Sequence, residues 1–155
     1  MAHLFRFSPA LLALALVAAV ALVSASAFVG QAREECSVET LVGPYGFTDS
    51  GTAFIPGPGG QVNPVQVVVL GRFVADGEGH LAGTDTSTVG GQIARGNTFS
   101  GTYVVHADCT GSDTLTLQPQ NMVIHHDFVI VDKGRELMST HTDPGSVFTG
   151  KVVRQ

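Results

Sequence analysis

The chain has 155 residues, of which 44% are hydrophobic and 14% charged; it has no tryptophan, and its formal charge is −5. All thirteen acidic and seven of the eight basic residues lie at or beyond residue 33, so the body of the chain carries about −6 (7 − 13). Acidic charge without a Lys/Arg cluster argues against nucleic acid and anionic membrane surfaces as partners.

Residues 1–27 read as a secretory signal peptide. Arg6 supplies a positive start, Ala10 to Val23 an unbroken apolar run, and Ala25-Ser26-Ala27 a small-residue cleavage site, with a second cut available after Ala32. The apolar run falls short of the roughly 20 residues of a membrane span. Cys36 follows Arg33-Glu34-Glu35, which is no lipid-attachment signal. The expected product is a single domain over 33–155, secreted or periplasmic and free of the membrane once cut. In an exported chain Cys36 and Cys109, the two cysteines, read as a disulfide. Chain entropy gives a loop of about 74 residues at most roughly 4.4 kcal/mol. With no C-x-x-C and no adjacent base, a redox or nucleophilic thiol is set aside.

After the signal the chain reads as strands. Val38 to Phe47 is the first, bent at Gly43-Pro44, with a turn or short strand over Thr48 to Ala53. Ile55 to Pro64 (IPGPGGQVNP) is too rich in proline and glycine for a regular element and reads as a loop, the best candidate for a lid. Val65 to Ala75 is apolar on both faces around Val67 to Leu70, which predicts cover on both sides. Asp76-Gly77-Glu78-Gly79 is a tight turn. His80 to Thr88 has small faces, as if something packs close by, and Gly90-Gly91 turns it. Thr98 to Asp108 alternates, with Phe99, Tyr103 and Val105 on one face. Ser112 to Gln118 follows with Leu115 and Leu117 inward, then a turn at Pro119 and Asn121. Met122 to Asp132, Arg135 to Thr142 and Val147 to Arg154 complete the set, separated by turns at Lys133-Gly134 and Asp143-Pro144-Gly145. No window after the signal has helical periodicity. About eight strands joined by short turns predict an all-β fold, an antiparallel up-and-down meander closing into a small barrel.

Cys36 with Leu41 to Phe47 (LVGPYGF), then DGEGHLAGTDTSTVGG, GTYVVHADCTG and VIVDKGRE, resembles a family of small exported bacterial β-proteins over the whole mature chain. Membership implies no chemistry, and no catalytic residue carries over by motif. More distantly the meander looks like the calycin-type and allene-oxide-cyclase-like barrels, which bind or cyclise apolar small molecules. The Gly-x-Trp signature of lipocalins is missing.

The mature chain has five histidines: His80, His106, His125, His126 and His141. None forms His-x-His, the pair a strand metal site requires, so no metal is expected. His125 shares a face with Asp127, as an orienting pair or an exposed polar pair. His126 shares its face with Met122, Ile124, Phe128 and Ile130; if that face is the lumen, the imidazole is buried and must find a partner. His126 and Glu136 are the candidate acid/base residues, and Asp85, set among threonines, invites the same question. Tyr45, Tyr103 and Phe128 are the candidate ligand-lining residues. Nucleotide loops, a nucleophile elbow, calcium loops and zincin motifs are absent, and no cofactor is expected.

The leading expectation is therefore an exported, non-catalytic barrel that binds a small apolar ligand or associates with copies of itself. A cyclase or isomerase acting by confinement, and a structural surface protein, are the alternatives. A closed dry core, with no cavity of about 300 Å³ or more, would favour the structural reading, and a cavity lined by Tyr103, His126 or Glu136 the first two.

Overall fold

The computed structural model describes Glu35–Gln155. The expected signal peptide and its cleavage sites fall outside the described residues. Eight strands follow in order: β1 (Val42–Pro56), β2 (Val62–Asp76), β3 (His80–Val89), β4 (Gln92–Val105), β5 (Thr110–Gln118), β6 (Met122–Val131), β7 (Glu136–His141) and β8 (Ser146–Arg154). Each pairs antiparallel with the next, and β8 returns to β1, so the expected meander is a closed barrel. Two 3₁₀ turns, Val38–Thr40 and Asp132–Gly134, are the helical elements among the described residues.

Two segments differ from the sequence reading. The first strand starts later, because Val38–Thr40 turns under Ser37, whose backbone N–H donates to Thr40 Oγ1 at 3.0 Å. It then runs through the expected turn at Thr48 without a break. The expected loop over Ile55 to Pro64 shrinks to residues 57–61 at the tip of a long β1–β2 hairpin. Pro56 and Pro64 fit there because β8 pairs with β1 only as far as Ala53, and β3 with β2 only from Val67. The outer edges of the hairpin have no ladder for a missing N–H to interrupt.

Glycines facing the lumen leave room for rings on the neighbouring strand. Phe99 lies opposite Gly83, Phe47 opposite Gly71 and Phe128 opposite Gly111. A Cβ on Gly83 would stand 2.5 Å from the Phe99 ring, and one on Gly71 2.6 Å from that of Phe47. The small faces of β3 are thus explained by Phe73 and Phe99 packing over them. Glycine–aromatic pairs of this kind let a strongly curved sheet fill its own interior.

The core is concentrated at one end. Leu41, Tyr45, Tyr103, Ile130, Leu137 and Val152 are buried together, and the Cys36–Cys109 disulfide packs against them. Turns 77–79, 106–109 and 132–134 share this end; 57–61, 90–91, 119–121 and 142–145 form the other. Outward-facing Val68 and Leu70 are 51% and 67% exposed, so the chain's own residues cover β2 only on the lumen side.

Candidate functional site

The lumen is divided. Toward the disulfide end it is dry and apolar; toward the other end strand alternation carries charge inward. Tyr45, Phe47 and Asp49 share the inner face of β1; Asp113, Leu115 and Leu117 that of β5; His126, Phe128 and Ile130 that of β6; Leu137, Ser139 and His141 that of β7. Asp49, Asp85, Asn97, Ser139 and His141 point inward yet are only half-buried, so solvent reaches them from that end.

Two cross-strand rows set the geometry. In the first, Asp113 on β5 stands opposite His126 on β6, and His126 opposite His141 on β7. His126 is 5% exposed, and its Nδ1 lies 2.6 Å from Asp113 Oδ1, so the ring donates to the carboxylate. Among the described residues no buried side-chain nitrogen or oxygen lacks a partner. With Nδ1 held by Asp113, Nε2 is the ring nitrogen left for another partner. The His141 ring meets His126 edge-on at 4.3 Å and stacks on Phe148 at 4.4 Å.

In the second row Asp49, Gly150 and Ser139 stand abreast on β1, β8 and β7. The Asp49 carboxylate and the Ser139 hydroxyl both reach the point a Gly150 Cβ would fill. Gly150 is thus the space in which these groups sit. Farther round, Asn97 Nδ2 donates to Asp85 Oδ1 at 2.8 Å and to Ser87 Oγ at 3.2 Å.

These positions set the protonation states. Burial pushes the Asp49 carboxyl up, His126 opposes, and Asp113 and Asp85 add to the rise, which leaves it at about 6. Burial pulls His126 down, but the Asp113 hydrogen bond and the charges of Asp113, Asp49 and Asp143 outweigh it, and the net shift is upward. Burial and the neighbouring His126 charge bring His141 to about 4, so it is neutral at pH 7.

Asp49, Asp113, His126, Phe128 and Ser139 line one interior cavity of about 60 Å³, with Phe47, Phe73 and Phe99 among its walls. That is room for a handful of waters and well short of a drug-sized pocket. Its volume lies below the ~300 Å³ whose lack favours the structural reading, while its lining by Tyr103 and His126 favours the binding and cyclase readings.

The sequence-predicted residues divide accordingly. His126 and Phe128 stand at the cavity, as does Tyr103, though its hydroxyl is fully engaged at the disulfide end: it donates to the Leu41 carbonyl at 2.8 Å and accepts from Gly77 N–H at 3.1 Å. Tyr45 is 0% exposed with its hydroxyl on the Gly134 carbonyl, below the cavity. Glu136 precedes inward Leu137 and so faces outward, 2.9 Å from Lys151 Nζ; the structure does not bring it together with His126. His125 pairs with Asp143 at 2.7 Å rather than with Asp127. Asp49, Asp113 and His141 were missed. Each has the parity of the apolar residues on its strand, and that is the signal that finds them. Among the described residues no group of three or more His, Cys, Asp or Glu could hold a metal ion.

No family model and no curated protein matches the chain. Among solved structures, a redesigned beta barrel, mFAP1, bound to DFHBI is similar, with a TM-score of 0.50 and 20% identity over 79% of this chain and 100% of that one. A redesigned beta barrel, mFAP0, bound to DFHBI gives a TM-score of 0.47 and 20% identity over 74% and 99%. The likeness to mFAP1 is one of fold, the closed β-barrel.

Proposed function

We propose that the chain is an exported small-molecule-binding barrel that holds a compact, largely apolar ligand in its lumen. The observation that carries this reading is the ring-lined cavity with Asp49, Asp113 and His126 in its wall. An apolar wall with a few convergent polar groups is the usual make-up of a ligand site. The fold is one in which a small molecule can be held, since the similar redesigned barrel mFAP1 is bound to DFHBI. Export is supported by the N-terminal sequence and by the Cys36–Cys109 disulfide, a bond that persists in oxidising compartments. The small cavity restricts the ligand to a few heavy atoms.

A second reading, self-association, is favoured by the outer face of β2, where Val68, Leu70 and Val74 are more than half exposed. Native mass spectrometry of the exported protein, without reductant, tests both. A retained compact molecule supports binding, and a multiple of the subunit mass supports association. A bare monomer that takes up none of a library of compact apolar compounds overturns both.

A further inference from the structure

We propose that the lumen also carries an acid–base site, with Asp49 as base and the His126 imidazolium as proton donor, that enolises a compact carbonyl compound. The proposal rests on the ligand-binding reading, since the substrate must enter the cavity, but it goes beyond it. Both groups line the same cavity, walled by phenylalanine rings. His126 is held at Nδ1 by Asp113, which leaves the Nε2 side of the ring to face a substrate oxygen. Asp49 lies over Gly150, beside Ser139, with no Cβ to displace it.

In the forward step an Asp49 oxygen takes the proton from the carbon next to the carbonyl. The C–H electron pair becomes the new C=C bond, and the carbonyl π pair moves onto oxygen, which receives the His126 proton. In the reverse step the enol returns that proton to His126, and the Asp49 carboxyl delivers its own to carbon. Delivery to the original carbon, after the carboxyl has traded its proton for one from solvent, gives hydrogen exchange; delivery to the far end of a conjugated enol gives isomerisation. Atoms and electrons balance without an oxidant, a reductant or a co-reactant.

The charges that face these groups suit the roles. Asp113 and Asp85 act on Asp49 together with His126, and Asp49, Asp113 and Asp143 act on His126. His141, edge-on to His126, stays neutral at pH 7. A carboxylate held near pH 6 is ionised at neutral pH and a stronger base than an ordinary one. Asp113 is a positioning residue.

The test is proton–deuterium exchange at the α-carbons of cyclopentanone in D₂O, followed by NMR. The expected result is exchange about 100-fold faster than in protein-free buffer at pH 7, with an acid limb near pH 6. Asp49→Asn returns it to the buffer rate and Asp49→Glu recovers part of it. Asp113→Asn lowers kcat more than it raises KM and moves the pH profile. Glu136→Gln, on the outer face, leaves the rate unchanged. Exchange no faster than in buffer, or equal in native protein and Asp49→Asn, overturns the proposal. If Asp49→Asn does not fold, a native pH–rate profile without the limb near 6 overturns it instead. Saturable cyclopentanone shifts without exchange remove the catalytic proposal and leave the binding one; a lack of both counts against each.

Discussion

Asp49 and His141 titrate against each other in one pH window. The folded value of Asp49, about 6, is above the ~3.9 of an unfolded aspartate. Its stabilising contribution is therefore complete below about pH 4 and lost as pH rises through 6. His141 is the reverse: its folded value, about 4, lies below the ~6.5 of an unfolded histidine. Its contribution is complete above about 6.5 and lost as pH falls through 4. Each slope is on the order of 1 kcal/mol per pH unit and the two oppose. The native chain is expected to show a nearly flat urea-unfolding free energy between pH 4 and 6. Asp49→Asn should then gain stability as pH rises across that window, and His141→Gln should lose it; parallel curves for all three proteins contradict this assignment. The Asp113–His126 pair has a separate signature. Asp113→Ala removes the hydrogen bond and charge that hold the buried His126 ring up, and is expected to cost about 1–3 kcal/mol at pH 6, read from the urea midpoint. Because the folded value of His126 is raised, that pair's contribution holds below about pH 6.5 and is lost as pH rises through the folded value.

At the scale of elements the barrel depends on rings set over glycines. Gly111→Ala would place a methyl group on the Phe128 ring and against the Val104 carbonyl. The expected loss is about 1–3 kcal/mol, as for other overpacked cores, measurable as a lowered Tm with an unchanged β-sheet spectrum. The hairpin tip should be indifferent. Replacing Gly57–Gln61 by Asn-Gly removes no pairing with β8 or β3 and should shift the unfolding free energy by less than about 1 kcal/mol. Parity along the chain sorted the residues of β4, β5 and β6 into faces and put Leu115 and Leu117 inward, but it left open whether the face of His126 and Phe128 is the lumen. It failed at both ends of β1. At the start, Ser37 and Thr40 draw the backbone into a 3₁₀ turn through a local side-chain bond that apolar patterning does not register. At the end, proline and glycine suggested a loop, whereas prolines on unpaired edges are compatible with strand. Closing the first strand at Phe47 also put Asp49 outside the β-pattern, and the lumen carboxylate went unseen with it. Glu136 attracted notice as a charge beside a turn, yet one residue of parity separates the outer ion pair with Lys151 from the lumen.

For the whole molecule, the Cys36–Cys109 bond ties the segment before β1 to the turn before β5. Cys36→Ser with Cys109→Ser is expected to lower the unfolding free energy by about 4 kcal/mol, and reductant should then have no further effect on the urea midpoint. Eight strands in sequential order could be counted from the turn signals. Closure could not, since the β1–β8 ladder joins Tyr45 to Arg154 across nearly the whole described chain and no local pattern encodes it. The charged half of the lumen was obscured for the same reason: Asp49, Asp113 and His126 come from three strands, and only the closed cylinder brings them to one cavity.

The β1–β8 ladder also dictates when the protein can finish folding. During synthesis β1 emerges first and has to wait, one edge bare, for about a hundred residues until β8 arrives, a long-range pairing of the kind that slows folding. Until then two unpaired edges are available to any neighbouring chain. A polypeptide interrupted before Ser146 would keep both of them permanently, and its predicted fate is sheet-to-sheet polymerisation. The last nine-residue strand thus acts as the clasp that keeps the molecule separate from its siblings.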